Sequence, residues 1–291
     1  MHDIIRVFPR KTRATPNDSL AFTGLPPIKN TELYRQLVLD NGSPDWRNAK
    51  EVHISVAFSN DIPKAELLAE GWHKAGFPVK MGGPAFNMPG DDFVPGMYLR
   101  EGYVITSRGC NKSCWFCGVP AREGQLRELP VQVGYNILDD NLLACSEKHI
   151  RAVFEMLKSQ PQKPIFTGGL DAELLRAWHV DLLREVKAAR MYFAYDTPSD
   201  YEPLIHAGKL LRDGGISKSS NRARCYVLIG YPNDTKEQAE KRLIDTWEAG
   251  FFPYAMLYCD EKGETEEAWR QFQRLWVRLQ IVYAKLKNLF C

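Results

Sequence analysis

The sequence predicts an α/β fold with a parallel sheet, because short apolar strands alternate with amphipathic helices along much of its 291 residues. Six such strands follow one another between residues 103 and 258. The chain is 44% hydrophobic with a net charge of +2, which suits one large domain, or a large and a small one. Near-neutral charge argues against a protein built around nucleic-acid binding. No apolar run approaches the roughly 18 residues of a membrane span, so no membrane association is expected.

The six strands are near-continuous apolar runs, as in parallel sheets that helices cover on both faces. They are predicted at residues 103–105, 136–138, 164–167, 191–195, 225–229 and 253–258. Helices are predicted from the cap Ser146 to 158, then over 172–189, 201–212 and from the cap Thr235 to Gly250. Small or polar residues end the strands, which predicts one shared pocket at their carboxyl edge: Ser107, Asp140, Gly168, Asp196, Gly230 and Cys259.

Two further segments flank this region, and they give predicted domains of 1–97, 98–262 and 263–291. Residues 50–58 and 78–81 read as strands around a helix over 63–74 that Asp61 caps, a single βαβ unit. From Thr265 onward, aromatic residues at helical spacing predict one amphipathic helix that packs on the sheet. The alternative for this helix is a nucleic-acid platform of interleaved arginine and aromatic residues.

The most informative motif is Cys-x-x-x-Cys-x-x-Cys, formed by Cys110, Cys114 and Cys117 directly after the first strand. Three thiolates within eight residues can wrap one side of a multi-iron cluster and leave one iron without a protein ligand. An open coordination position is how a protein keeps a metal centre reactive. The motif therefore predicts a reactive cluster.

Zinc and disulfides are the alternatives for these cysteines. A zinc site needs four nitrogen or sulfur ligands, but no histidine lies between His73 and His149. The other cysteines are single and scattered, so no second cluster is expected: Cys145, Cys225, Cys259 and Cys291. Disulfides would need an oxidising compartment, and because the chain shows no signal-peptide pattern we expect a cytoplasmic protein.

The cysteine spacing, with the aromatic Phe116 before the third cysteine, resembles the signature of the radical S-adenosylmethionine (SAM) superfamily. The resemblance spans residues 98–260 and implies a TIM-like partial (β/α)6 barrel. It implies an oxygen-sensitive [4Fe-4S] enzyme that reductively cleaves SAM to methionine and a 5′-deoxyadenosyl radical, which abstracts hydrogen from an unknown substrate. It also implies a flavodoxin or ferredoxin-type electron donor.

The same resemblance implies contacts to SAM. They are Phe116 near the adenine, Asp140 with Asn141 near the amino group, Asp196 with Thr197 near the ribose or carboxylate, and Gly230 with Tyr231 beside the adenine. Adjacent side chains of a strand face opposite ways, so only one of Asp139 and Asp140 should face the pocket. Gly169 either lets the backbone approach SAM closely or is only part of a turn. Cys259 is either an inert thiol or a catalytic group that donates hydrogen or accepts a methyl group.

The N-terminal segment resembles a shortened form of the domain that precedes the barrel in the cobalamin-dependent branch of that superfamily. Its Gly82-Gly83-Pro84 turn carries the resemblance. The branch's cobalt-ligand motif, Asp-x-His-x-x-Gly, is incomplete here, because position 71 is glycine before His73. We therefore expect His73 to be a surface residue and no cobalamin to bind.

The substrate is not fixed by the sequence. The basic loop from Lys218 to Arg224 favours an anionic small molecule such as a nucleotide, while a peptide or RNA remains open. A second interpretation is a metal-cluster or zinc-containing RNA-binding protein without SAM chemistry. It would use Lys218, Arg222, Arg224 and the arginine-rich C-terminal helix.

Overall fold

A computed structural model describes residues 4–18, 20–26, 49–86, 93–260 and 265–290. Cys291 lies outside the described residues. The chain divides into two compact units, of which the first comprises residues 1–103 with 121–123 and the second residues 104–120 with 124–291. None of the described helices combines the length and apolar character that a bilayer crossing requires.

The strands and helices are numbered here in chain order. The strands are β1 (Ile4–Val7), β2 (Ala21–Phe22), β3 (Glu51–Ser55), β4 (Val79–Gly82), β5 (Tyr103–Val104), β6 (Ser107–Arg108), β7 (Arg127–Glu128), β8 (Asn136–Ile137), β9 (Ile165–Phe166), β10 (Arg190–Tyr195), β11 (Ala223–Ile229) and β12 (Phe252–Leu257). The α-helices are α1 (Ile62–Lys74), α2 (Val119–Glu123), α3 (Glu147–Lys158), α4 (Ala177–Glu185), α5 (Tyr201–Asp213), α6 (Lys236–Glu248), α7 (Glu267–Arg274) and α8 (Leu279–Phe290).

The first unit is larger than the single βαβ unit that the sequence predicts. Its parallel sheet has the order β2-β1-β3-β4, so β1 and β2 extend the predicted pair of strands. Both are too short to give a periodic signal in sequence. The predicted Asp61 cap is also wrong, because its side chain makes no capping hydrogen bond and instead accepts one from Arg10 Nη2 at 2.8 Å. His73 is exposed near the end of α1, as predicted.

The six strands predicted between residues 103 and 258 form one sheet in chain order, β5-β8-β9-β10-β11-β12. The four neighbouring pairs from β8 to β12 are parallel, which confirms the predicted α/β fold with a parallel sheet. β5 joins the sheet through Val104 O, which accepts a hydrogen bond from Leu138 N at 2.9 Å. The described strands do not close into a complete barrel.

Two predicted helix caps are confirmed, and one predicted helix is too long. Ser146 Oγ accepts from His149 N at 3.2 Å, and Thr235 Oγ1 accepts from Gln238 N at 3.2 Å. The helix predicted over 172–189 spans only Ala177–Glu185. The residues before Ala177 that were predicted as helix pack into the core instead, where Leu175 is buried. After the helix ends, Lys187 adopts a left-handed conformation with a φ of 52°.

The C-terminal segment is two helices rather than the single helix predicted, and it covers the free edge of β12. Ala255 N donates to Trp276 O at 3.2 Å, and Gln273 Nε2 donates to Ala255 O at 3.1 Å. Trp276 is fully buried between the two helices and belongs to the same hydrophobic core as the six-stranded sheet. Because the helix is interrupted between α7 and α8, the backbone there is available to hydrogen-bond with polar groups on the outer edge of β12.

Candidate active site

The three motif cysteines line one cavity of about 230 Å³ in the second unit. It opens where the loops after β8, β9 and β10 meet the cysteine loop, at the carboxyl edge of the parallel sheet. Most of the residues predicted from the sequence to form the site also line this cavity: Cys110, Cys114, Cys117, Phe116, Asp140, Asn141, Gly169, Asp196 and Thr197. Residues from four separated segments therefore meet at one place.

The three cysteines of the loop are partly exposed thiols that are not joined in disulfides. Burial, followed by the charges of Cys117 and Cys110, raises the pKa of the Cys114 thiol, so the three sulfurs influence one another electrostatically. Among the described residues, no three His, Cys, Asp or Glu side chains converge on a point that could hold a single metal ion. Cysteines that hold an iron–sulfur cluster bind different irons, so they need not converge on one point.

Cys110 receives two hydrogen bonds at its sulfur. Lys112 N lies 3.4 Å from Cys110 Sγ, and Asn141 Nδ2 lies 3.5 Å from it. Both donors would stabilise negative charge on a thiolate or on a cluster that the thiolate binds. Cys110 therefore has two hydrogen-bond donors at its sulfur that would support it as a cluster ligand.

Asp139 and Asp140 face opposite ways. Asp139 is 1% exposed, accepts a hydrogen bond from Thr106 N at 2.6 Å, and has a pKa raised by burial. Asp140 lines the cavity, accepts from Gly109 N at 3.0 Å and pairs with Arg108 at 3.3 Å. The pairing neutralises the charge of Arg108, which precedes the cysteine motif.

Asn141 is 5% exposed, and its two amide atoms differ in their partners. Nδ2 lies within hydrogen-bond distance of Cys110 Sγ, of Asn111 Oδ1 at 3.2 Å and of Asp171 Oδ2 at 3.3 Å, so its two N–H groups are shared among three acceptors. Oδ1 is buried and has no hydrogen-bond partner among the described residues. A buried amide oxygen without a donor is costly, and the residue as a whole lines the cavity.

Asp196 is held at the end of β10 by backbone groups. Its Oδ1 accepts from Leu228 N at 3.1 Å. Burial, followed by the charge of Asp200, raises the pKa of Asp196 to about 7. Asp200 accepts from the backbone N of Asp196 at 3.0 Å and of Thr197 at 2.8 Å. Our sequence reasoning missed Asp200, although its place three residues after Thr197 is the capping-box position.

The cavity wall is strongly acidic. Five carboxyl groups and one ammonium line it, namely Asp140, Asp171, Glu173, Asp196, Asp200 and Lys112. Burial alone would lower the pKa of Lys112, but its hydrogen bonds to Asp171 and Glu173 outweigh burial and raise that pKa. This charge balance favours a cationic ligand over an anionic one in the cavity.

Gly230, Tyr231 and Cys259, although predicted to belong to the site, are not among the residues that line the cavity. Asp234 Oδ2 holds the turn by accepting from Gly230 N at 2.8 Å. A side chain on Gly230 would lie 2.9 Å from the ring of Trp269, so this turn packs against α7. Cys259 is exposed and lines a different groove, with Arg270 and Arg274. Ser107, at the end of the first strand, is fully buried and is also absent from the cavity wall. Of the six strand-end residues predicted to share one pocket, only Asp140, Gly168 and Asp196 line this cavity.

Tyr231 instead joins an aromatic cluster with Trp115 and Tyr258. The ring centroid of Trp115 lies 5.9 Å from that of Tyr231 and 5.8 Å from that of Tyr258. Trp115 is 61% exposed although it directly follows a motif cysteine. The cluster thus links the cysteine loop to the ends of β11 and β12.

The basic loop that favoured an anionic substrate or RNA precedes β11, at the amino edge of the sheet. Its residues are absent from the wall of the cavity, which lies at the carboxyl edge. Lys218 Nζ donates to Trp247 O at 3.2 Å and lies 4.1 Å from the centroid of the Trp247 ring. The loop therefore does not supply charge to this site.

No protein-family model matches the chain, and no curated protein matches it either. The functional interpretation accordingly depends on the cysteine spacing and on the side chains that the fold brings to the cavity.

Proposed function

We propose that this protein is a radical SAM enzyme. It would bind a [4Fe-4S] cluster through Cys110, Cys114 and Cys117 and bind SAM in the adjoining cavity. The observation that carries the proposal is that all three cysteines of the motif line the same acidic cavity as Asn141 and Asp196. The barrel that goes with this function would be a partial (β/α)6 barrel, and the chain-ordered sheet of six strands supports it.

The residues present fit a cluster with one open iron. The loop supplies three thiols and no fourth cysteine, and the other described cysteines are placed elsewhere. Burial raises the pKa of Cys145 to about 11 and that of Cys225 well above its usual value, so both favour the neutral thiol. The hydrogen bonds at Cys110 Sγ would stabilise the negative charge that a cluster carries.

The residues present also fit SAM, which is a cation with a sulfonium and an ammonium group. Asn141, which lines the cavity, would offer its amide oxygen to the ammonium. Asp196 offers a carboxyl group suited to a ribose diol, and Phe116 provides an aromatic wall. The acidic lining would raise the local concentration of such a cation.

When bound, the cluster would supply the electron that cleaves SAM to methionine and a 5′-deoxyadenosyl radical. The protein's part would be to orient SAM through these side chains and to limit water around the reacting carbon. The apolar wall formed by Leu170, Phe193 and Tyr226 would serve the second purpose.

The proposal is tested by anaerobic reconstitution followed by iron, sulfide and zinc analysis. We expect about four irons and four sulfides per wild-type chain. Cys110→Ala, Cys114→Ala and Cys117→Ala should each lose most of this iron. Cys259→Ser is the matched control, because it changes an exposed cysteine outside the cavity, and it should retain the iron content of wild type.

Stoichiometric zinc in place of iron would overturn the proposal, as would iron binding that does not depend on the three motif cysteines. Either result would favour the binding-protein interpretation.

A further inference from the structure

Asp171, in the loop between β9 and α4, is the centre of a polar network that reaches the cysteine loop. Its carboxylate lies 3.0 Å from Lys112 Nζ and accepts from Asn141 Nδ2 at 3.3 Å. Asn141 Nδ2 in turn lies 3.5 Å from Cys110 Sγ. We refer to Asp171, Lys112, Asn141 and Cys110 as the Asp171 network.

The network joins three separate segments of the chain. Lys112 belongs to the cysteine loop, Asn141 follows β8, and Asp171 follows β9. The side chain of Asp171 is only 9% exposed, so its contacts are shielded from water and from salt. A shielded carboxylate that contacts two loops restrains both more firmly than an exposed ion pair does.

Glu173 provides a contrast within the same loop. It also lies 3.0 Å from Lys112 Nζ, but its side chain is 62% exposed, and no contact with Asn141 is seen among the described residues. Removing Glu173 therefore tests the charge on Lys112 without disturbing the amide that faces Cys110. Removing Asp171 disturbs both.

We propose that Asp171 is a positioning residue that orders the cysteine loop before a cluster binds and aims the Asn141 amide at the sulfur of Cys110. The effect of Asp171 on a bound cluster rests on the proposed function. A hydrogen bond to a ligating sulfur stabilises the reduced, more negative state, and therefore raises the reduction potential. Asp171 thus acts on the cluster through Asn141 and Lys112 without binding iron itself.

The first test uses the metal-free protein. The alkylation rate of each cysteine by iodoacetamide is measured by mass spectrometry, with the exposed Cys259 as the internal reference. In Asp171→Ala we expect the alkylation rate of Cys110 to differ several-fold from that of wild type, because both the order of the loop and the hydrogen bond at the sulfur change, while the rate of Cys259 is unchanged. Glu173→Gln should leave the rate at Cys110 close to that of wild type.

The second test uses reconstituted protein without SAM. We expect Asp171→Ala to retain iron against a chelator up to about 10–100-fold more weakly than wild type, the loss of affinity typical when a partner of a metal ligand is removed. A redox titration followed by electron paramagnetic resonance should give a more negative midpoint potential for Asn141→Leu, which loses only the hydrogen bond, and a shifted potential for Asp171→Ala, which loses a charge as well. Asp171→Asn keeps an oxygen that can accept from Asn141, and should recover part of the potential. Glu173→Gln should not shift it.

An unchanged alkylation rate at Cys110 in Asp171→Ala would overturn the inference, and so would an equal effect of Glu173→Gln. If wild type binds no iron, the proposed function fails, but the alkylation comparison still decides whether Asp171 positions the loop. If wild type binds iron and Asp171→Ala has the wild-type potential, the positioning role fails while the proposed function stands.

Discussion

Replacing Arg242 with methionine leaves the Asp234 carboxylate buried without its cation, and we expect a large loss of stability. The side chains of Asp234 and Arg242 are 0% and 8% exposed. Arg242 Nη2 donates to Asp234 Oδ2 at 2.8 Å and to Leu228 O at 2.9 Å. Methionine keeps an apolar stem beside Tyr231 but supplies no donor.

The magnitude follows from what remains after the change. Asp234 Oδ2 keeps its hydrogen bond from Gly230 N, while Oδ1 has no partner among the described residues even in the wild type. Breaking a buried ion pair by removing one partner costs about 3–5 kcal/mol. With a urea m-value of about 3 kcal/mol per molar, the midpoint of unfolding should fall by roughly 1–2 M.

The assay is equilibrium urea unfolding of the metal-free protein near neutral pH, followed by circular dichroism. Arg242→Met with Asp234→Asn should be markedly less destabilised than the sum of the single changes, because neither charge is then left unpaired. Arg242→Lys should fall between wild type and Arg242→Met, since one ammonium is a poorer match for both acceptors. A loss below about 1 kcal/mol for Arg242→Met, or strictly additive changes, would refute the reasoning.

Two further outcomes are expected. Asp196 has a folded-state pKa of about 7 against an ordinary value of 3.8, so the wild type loses stability as pH rises between these values, by up to about 4 kcal/mol. Asp196→Asn should therefore be more stable than wild type near pH 8 and comparable to it near pH 4 in thermal unfolding; a constant difference would contradict this. Gly168→Ala would place a Cβ 2.0 Å from Asp139 O and should cost about 1–3 kcal/mol in urea unfolding. Gly118→Ala meets open space and should change stability by less than about 0.5 kcal/mol, so equal effects of the two would count against the packing argument.

The strands of the second unit could be predicted from sequence because each is an apolar run between turn residues, and burial on both faces leaves a clear pattern. The break between α7 and α8 could not, because residues 265–283 keep helical spacing throughout. What ends α7 is the hydrogen bond from Ala255 N to Trp276 O, a tertiary contact with the edge of β12. Local periodicity carries no information about such an edge.

The site was predictable from sequence where a reactive residue type occurs in a recognisable motif or at the end of a predicted strand. The three cysteines reach the cavity because they lie in the loop after β6, and Asp140 and Asp196 reach it because they lie at strand ends. Asp171 and Glu173 could not be distinguished from turn and helix-start residues by sequence alone. Their role depends on Lys112, about 60 residues earlier in the chain, and only the fold brings these charges together.

The central claim is tested most directly by asking whether the reconstituted protein cleaves SAM. SAM and dithionite are added under anaerobic conditions, and 5′-deoxyadenosine and methionine are quantified by liquid chromatography and mass spectrometry. We predict that wild type forms both products in equal amounts and that Cys114→Ala forms neither. Intact SAM after incubation with wild type that carries its full complement of iron and sulfide would contradict the account.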